Sequence, residues 1–237
     1  REDSGLYFSL GNFTSLLTVD ANNLNFLRLP KVVFLASNFA GGAHGYPLNC
    51  ENYKLKDRIK MTNKEKVAKV ELLVLDVDGV LTDGKIIFND NGQESKAFNV
   101  ADGHGMKMLQ HYGTKIAIIS GRTSNVVAIR MKELGINLVY QGSRDKLMDL
   151  NDALDQLSLR KEEVCYVGDD VVDLQIMPHV GFAVAVADAH PLVKKHADLV
   201  TKNNGGAGAV REVCELILES KNLLEQALSY YLEEKKK

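Results

Sequence analysis

Asp76 and Asp78 close an apolar run, Leu-Leu-Val-Leu at residues 72–75. While the chain stays extended, residues two apart point to the same side, so the two carboxylates share one spot. They repel each other there, and a hard divalent cation would relieve the repulsion. Gly79 follows, so a solvated Asp-Gly turn explains the pair equally well. A second apolar run ends at Ser120-Gly121-Arg122. A serine and glycine opening a helix can offer a hydroxyl and backbone N–H groups to an anion, or the serine can be a plain helix cap. Lys146 stands where a helix begins, the unfavourable end of the dipole for a cation. It is either a solvated residue or a cation held there to meet an anion. A further run ends at Gly168-Asp169-Asp170, with Asp173 three residues on, which suits helix capping and metal binding alike. The combination decides. A carboxylate pair, a hydroxyl, a cation and a second carboxylate pair, in that order, are a kit for phosphoryl transfer: nucleophile, acid/base, cation site and two phosphate clamps.

The elements that must position these groups alternate. Strands are expected over residues 70–75, 115–119, 138–140, 164–167 and 182–184, with helices over 103–112, 123–134 and 146–157. Residues 85–88 and 93–100 flank Asn89-Asp90-Asn91-Gly92 and read as a β-hairpin inserted after the first strand. The fold class is therefore α/β, a Rossmann-like doubly wound parallel sheet covered on both faces. In such sheets ligands bind at the carboxyl ends of the strands, where the polar groups above fall.

Residues 1–53 hold eight of the sixteen aromatic residues but only seven charged ones, and the first methionine is Met61. The expected division is an extension over 1–60 of unknown role, favoured as sequence upstream of a start at Met61, then a catalytic domain over 61–220 and a C-terminal helical tail over 221–237. Val32-Val33-Phe34-Leu35-Ala36 is too short for a signal peptide. With 29 basic against 31 acidic residues, a nucleic-acid backbone is not the expected ligand, and no apolar run reaches the roughly 20 residues of a membrane span. Cys50, Cys165 and Cys214 have neither metal nor disulfide-framework spacing, which fits a reducing, cytoplasmic compartment.

Asp76-x-Asp78-x-Val80-x-Thr82, Ser120, Lys146 and Gly168-Asp169-x-x-x-Asp173 resemble the four motifs of the haloacid dehalogenase superfamily. Within it, residues 75–84, Phe98-x-Val100-x-Asp102-Gly103-x-Gly105, residues 119–122 and Gly205-Gly206-x-Gly208-Ala209-Val210-Arg211-Glu212 resemble the 3-deoxy-D-manno-octulosonate 8-phosphate (KDO 8-phosphate) phosphatase family, over about residues 67–218. The resemblance implies a Mg²⁺-dependent phosphatase of lipopolysaccharide precursor synthesis. Asp76 would be the nucleophile and Asp78 the acid/base. Asp76, the backbone carbonyl of Asp78 and Asp169 would hold Mg²⁺, supported by Asp170 or Asp173. Ser120, Gly121 and Lys146 would bind the phosphoryl group. It also implies a homotetramer associated through the hairpins, one subunit's tail reaching a neighbour's site.

Asp76 and Ser120 are 44 residues apart, Ser120 and Lys146 only 26, so neither gap holds a separate cap domain. Arg122 is the candidate for the substrate's carboxylate, because a guanidinium engages one bidentately; Arg211, after a glycine-rich segment, is a second candidate. Val213, Leu216, Ile217, Leu224, Leu228 and Tyr231 make a helical stripe that fits either another chain or the chain's own core. Ala101 and His104 depart from the family pattern, which has a basic residue and often an aromatic there. Two alternatives stand beside this reading: a phosphatase for a nine-carbon 2-keto sugar acid phosphate, and a non-catalytic oligomerisation module. The second predicts eroded catalytic residues, and all are present.

Overall fold

The structure, a computed structural model, describes residues 61–232 and the backbone of two earlier strands, β1 (Leu6–Leu10) and β2 (Phe13–Leu17). These two pair antiparallel, Leu6 opposite Leu17. Contacts divide the chain into a unit of residues 1–56 and one of residues 57–237. The remainder of the expected 1–60 extension, with the apolar run at 32–36 and Cys50, lies outside the described residues, as do the terminal residues 233–237.

The second unit opens with α1 (Asn63–Ala68), which the sequence reading did not foresee. Thr62 and Glu65 start it by exchanging side-chain and backbone hydrogen bonds, each satisfying a donor the first turn would leave free. Then follow β3 (Leu72–Leu75), β4 (Ile87–Phe88), β5 (Glu94–Ser95), α2 (Val100–His111), β6 (Lys115–Ser120), α3 (Asn125–Leu134), β7 (Leu138–Gln141) and α4 (Lys146–Leu157). After them come β8 (Val164–Gly168), β9 (Phe182–Ala185), α5 (Pro191–His196), β10 (Leu199–Val200), α6 (Ala209–Ser220) and α7 (Leu224–Ser229).

Six parallel strands lie in the order β10-β9-β8-β3-β6-β7. All four side chains of β3 are fully buried, as a central strand covered on both faces requires. From β3 the chain winds outward through β6 to β7, then returns to the other side of β3 and winds outward again through β8, β9 and β10. Right-handed crossovers in opposite directions put their helices on opposite faces of the sheet. Accordingly α2 packs with α3 and α6, and α4 packs with the short helical turn at Val171–Gln175, which α5 also touches. The switch in winding falls between β3 and β8, where a doubly wound sheet leaves a crevice.

The hairpin is shorter than expected. Its strands are two residues each, and Val100 already belongs to α2, because Asn99 caps that helix by accepting from the Ala101 amide (2.8 Å). The turn is as expected: Asn89 Oδ1 accepts from the amides of Asn91 and Gln93, and Gly92 takes φ +72°. The C-terminal stripe is split rather than continuous. Asn222 at φ +58° breaks the helix between α6 and α7. Val213 and Ile217 are buried, Leu216 and Leu224 pack partly on the same core, and Leu228 and Tyr231 are exposed. No helix of the described residues is long and apolar enough to cross a membrane.

Candidate active site

Parallel register brings the motif residues together. Leu75 lies opposite Val167 on one side and Ile118 on the other, so Asp76 emerges beside Gly168-Asp169 and level with the end of β6. The Asp76 amide donates to Val167 O (3.2 Å), holding the first residue beyond the strand in the sheet's pattern. One carboxylate oxygen from each of Asp76, Asp169 and Asp173 falls within 4.8 Å of the others.

Asp173 reaches this spot from a turn of 3₁₀ helix, and its carboxylate is fully engaged. Oδ1 accepts from the Lys146 ammonium (2.7 Å) and the Tyr166 hydroxyl (2.6 Å). Oδ2 accepts from the amides of Asp169 (2.8 Å) and Asp170 (3.2 Å). A Cβ on Gly168 would lie 2.5 Å from that Oδ2, so glycine there is what lets Asp173 fold back under the strand end. Lys146, buried at the first turn of α4, also donates to the Tyr166 hydroxyl oxygen (3.3 Å) and stands 3.2 Å from Asp76 Oδ1. The cation at the unfavourable helix end is therefore held by two carboxylates, and Asp145 caps the helix through the amides of Leu147 and Met148.

A tight loop carries Asp76 and Asp78 past Asp169. Gly79 has φ +92°, and a Cβ there would lie 2.1 Å from Asp169 Oδ2. Buried Thr82 braces the loop: its hydroxyl accepts from the amides of Gly79 (3.4 Å) and Gly84 (3.2 Å) and donates to Val77 O (3.4 Å). Gly205 and Gly206 pack on the same backbone so closely that side chains would collide with Gly79 O and Thr82. This is the physical content of the glycine-rich segment.

The Asp78 carboxylate is not one of the three grouped acids; its partners are a hairpin lysine and Arg122. It pairs with Lys96 through Oδ1 and lies 3.6 Å from Arg122 Nε through Oδ2. Glu94 Oε1 accepts from Arg122 Nη2 (3.0 Å) and lies 3.5 Å from Lys96 Nζ. Lys96, Glu94 and Tyr166 went unnoticed in the sequence. The signal that could have found the first two is the Glu-x-Lys spacing across β5 and the residue after it, which puts both on one face while the chain stays extended.

Ser120 is buried at the end of β6; its hydroxyl accepts from the Arg122 amide (3.4 Å) and its carbonyl from the Ser143 amide (3.0 Å). Gly121 lies in the same turn, facing Ser143 O. Two expected residues make no side-chain hydrogen bond or ion pair within the cluster. Asp170 is exposed and caps the 3₁₀ turn through the Val171 amide. Arg211 pairs with Glu215 on its own helix (2.6 Å), while its amide donates to Asp102 Oδ1 (2.7 Å), tying α6 to α2. His104, one of the two departures, meets Tyr231 edge-on with ring centroids 5.2 Å apart.

Burial, chiefly, pushes the Asp76 carboxyl up to about 6; Lys146 works against it and Asp173 adds repulsion. Burial, then the negative charges of Asp173, Asp76 and Asp170, raises Asp169 to about 7. For Lys146, burial favours the neutral amine, but Asp76 and Asp173 outweigh it and hold the group above the ordinary lysine value. Three carboxylates thus face one ammonium; Asp169 Oδ1 is buried with no hydrogen-bond donor, and buried Asp76 Oδ1 has only the Lys146 ammonium, at 3.2 Å. Buried unpartnered carboxylate oxygens are costly. A small, hard, oxygen-seeking divalent cation fits the pair.

Residues 136–213 match the haloacid dehalogenase-like hydrolase family, the class that the sheet order and the strand-end aspartates define. The chain is 49% identical over 162 residues to the 3-deoxy-D-manno-octulosonate 8-phosphate phosphatase KdsC of Escherichia coli (strain K12), covering 68% of this chain and 86% of that protein. It therefore belongs to the KDO 8-phosphate phosphatase family. Among solved structures, the family member from Yersinia pestis aligns with TM-score 0.68 and 46% identity, over 68% of this chain and 88% of that one. The Moraxella catarrhalis enzyme, crystallised with a magnesium ion, a phosphate ion and KDO, aligns with TM-score 0.70 and 40% identity, over 71% and 97%.

Proposed function

We propose that the protein is a Mg²⁺-dependent phosphatase that hydrolyses KDO 8-phosphate to KDO and phosphate through an aspartyl-phosphate on Asp76. The observation that carries the reading is Asp76 itself: a buried strand-end carboxylate whose Oδ1 lies 3.2 Å from the Lys146 ammonium, beside Asp169. The family to which the chain belongs supplies the substrate.

An Asp76 oxygen attacks phosphorus as the bond from phosphorus to the sugar oxygen breaks, and Asp78 gives that oxygen its proton. Asp78 then takes a proton from water, which attacks the phosphoryl group and releases phosphate, restoring Asp76. Ser120, the Gly121 turn and Lys146 hold the phosphoryl oxygens, and the ammonium offsets the charge that collects on them. Asp76 and Asp169 would hold Mg²⁺ with the Asp78 carbonyl; Asp173, whose oxygens are already engaged, positions Lys146 and the Asp169 loop. When bound, the ion supplies electrostatic screening of the carboxylates and the transferring phosphoryl group. Arg122, 44% exposed at the rim, takes the sugar acid's carboxylate. The product enters lipopolysaccharide precursor synthesis in the cytoplasm. The enzyme works as a homotetramer, for which exposed Ile86, Ile87 and Phe88 on the hairpin offer apolar surface.

Phosphate release tests this, with KDO 8-phosphate set against a nine-carbon 2-keto sugar acid phosphate and hexose phosphates. A preference for KDO 8-phosphate, abolished by EDTA and by Asp76→Asn, is the expected result. Equal rates across the panel would overturn the substrate, and no release by folded protein would overturn the activity.

A further inference from the structure

Four charged side chains close a ring beside the reacting groups. Asp78 faces Lys96 and Arg122, and Glu94 faces the same two cations from the other side. The Lys96 side chain is fully buried, those of Glu94 and Asp78 are 15% and 20% exposed, and that of Arg122 is 44% exposed. The ring therefore opens to solvent mainly at the guanidinium.

We propose that Glu94 is a positioning residue that sets specificity: in the substrate-free protein it occupies the guanidinium edge that the substrate's carboxylate takes, and it keeps both cations from closing on Asp78. The inference rests on the sugar-acid phosphate reading above. Two acids balance two cations in the ring. Without the charge of Glu94, Arg122 and Lys96 would share one carboxylate, that of Asp78, and hold it away from the leaving oxygen and the attacking water. With Glu94 present, Arg122 is drawn 3.0 Å from Oε1 and only 3.6 Å from Asp78. An incoming carboxylate must displace Glu94 from Arg122 or share the fork with it. Glu94 is not stranded by the exchange, because Lys96 has three donors and already stands 3.5 Å away. A phosphate ester with no carboxylate has nothing to exchange at this point.

The test is steady-state kinetics of the full chain with Mg²⁺, on KDO 8-phosphate and on p-nitrophenyl phosphate. Glu94→Gln is expected to lower KM for KDO 8-phosphate by roughly 3- to 10-fold and to lower kcat on both substrates, leaving KM for p-nitrophenyl phosphate within about twofold. In an Arg122→Met background the same substitution no longer changes KM for KDO 8-phosphate. Glu94→Asp, which keeps the charge, recovers kcat in part and supplies a second folded variant. A Glu94→Gln protein whose KM for KDO 8-phosphate is unchanged or raised overturns the proposal, since a merely structural glutamate lowers kcat and raises KM together. Wild-type protein that does not prefer KDO 8-phosphate to p-nitrophenyl phosphate overturns the substrate reading, and this inference with it. That failure is distinguishable because it shows without any variant.

Discussion

The residues of the cluster are tuned by what surrounds them, and the tuning has a pH signature. Asp76 and Asp169 hold their protons to about 6 and about 7 in the metal-free protein, well above an ordinary carboxyl. A carboxyl raised on folding contributes stability in full below its unfolded value and loses it as pH rises through the folded value. Metal-free protein is therefore expected to lose stability between about pH 4 and 7. Mg²⁺ must displace those protons, so its stabilisation grows over the same window. Thermal melts with EDTA and with Mg²⁺ at pH 5 and pH 8 check this; an equal shift at both would contradict it. Tyr166 belongs to the same network, since its hydroxyl is shared between Asp173 and Lys146. Tyr166→Phe is expected to cost about 1 kcal/mol of stability and to lower kcat severalfold with little change in KM. The aspartates, Ser120 and Lys146 could be read from the sequence because reactive types recur at successive strand ends. Tyr166 could not, because a tyrosine inside an apolar strand looks like core until its hydroxyl is seen to meet a lysine 20 residues away.

Elements meet here through glycine. The loop after β3 and the loop after β8 approach so closely that Asp169 Oδ2 sits where a Gly79 side chain would begin. Gly79→Ala must also adopt φ +92°, so it is expected to weaken Mg²⁺ binding at least about tenfold and to depress activity further, with the far-UV spectrum retained. Titration calorimetry with Mg²⁺ reads the first effect; wild-type affinity in the variant would refute the assignment. Asp102 does comparable work between helices. Its buried carboxylate on α2 accepts from the Arg211 and Gly208 amides at the start of α6, capping a helix from a neighbour. Asp102→Ala is expected to lower stability by about 1–2 kcal/mol while leaving KM nearly unchanged. The long strands and helices were legible in periodicity. The short ones (α1, α5 and β10) were not, since two to six residues carry too little pattern, and the hairpin strands shrank because Asn99 begins a helix where alternation continued on paper.

At the scale of the whole molecule, the hairpin β4–β5 serves two ends. It sends Lys96 to Asp78 and Glu94 to Lys96 and Arg122, and Ile86, Ile87 and Phe88 stay exposed. If that apolar surface joins the subunits of a tetramer, Phe88→Lys is expected to yield smaller species in sedimentation velocity, and an unchanged sedimentation coefficient would count against it. What the sequence determined by itself is the chemistry and its order: apolar runs of fixed length, each ended by the group it must deliver, name a parallel sheet with a phosphoryl-transfer edge. That follows because strand direction and side-chain alternation are local properties. Which strands are neighbours is not local. Only the tertiary structure decided that β8 lies against β3, setting Asp169 beside Asp76, and that the hairpin folds back to close a ring of charge around Asp78. Those contacts join residues 18 to nearly 100 positions apart, and packing across the sheet, rather than any sequence period, sets their geometry.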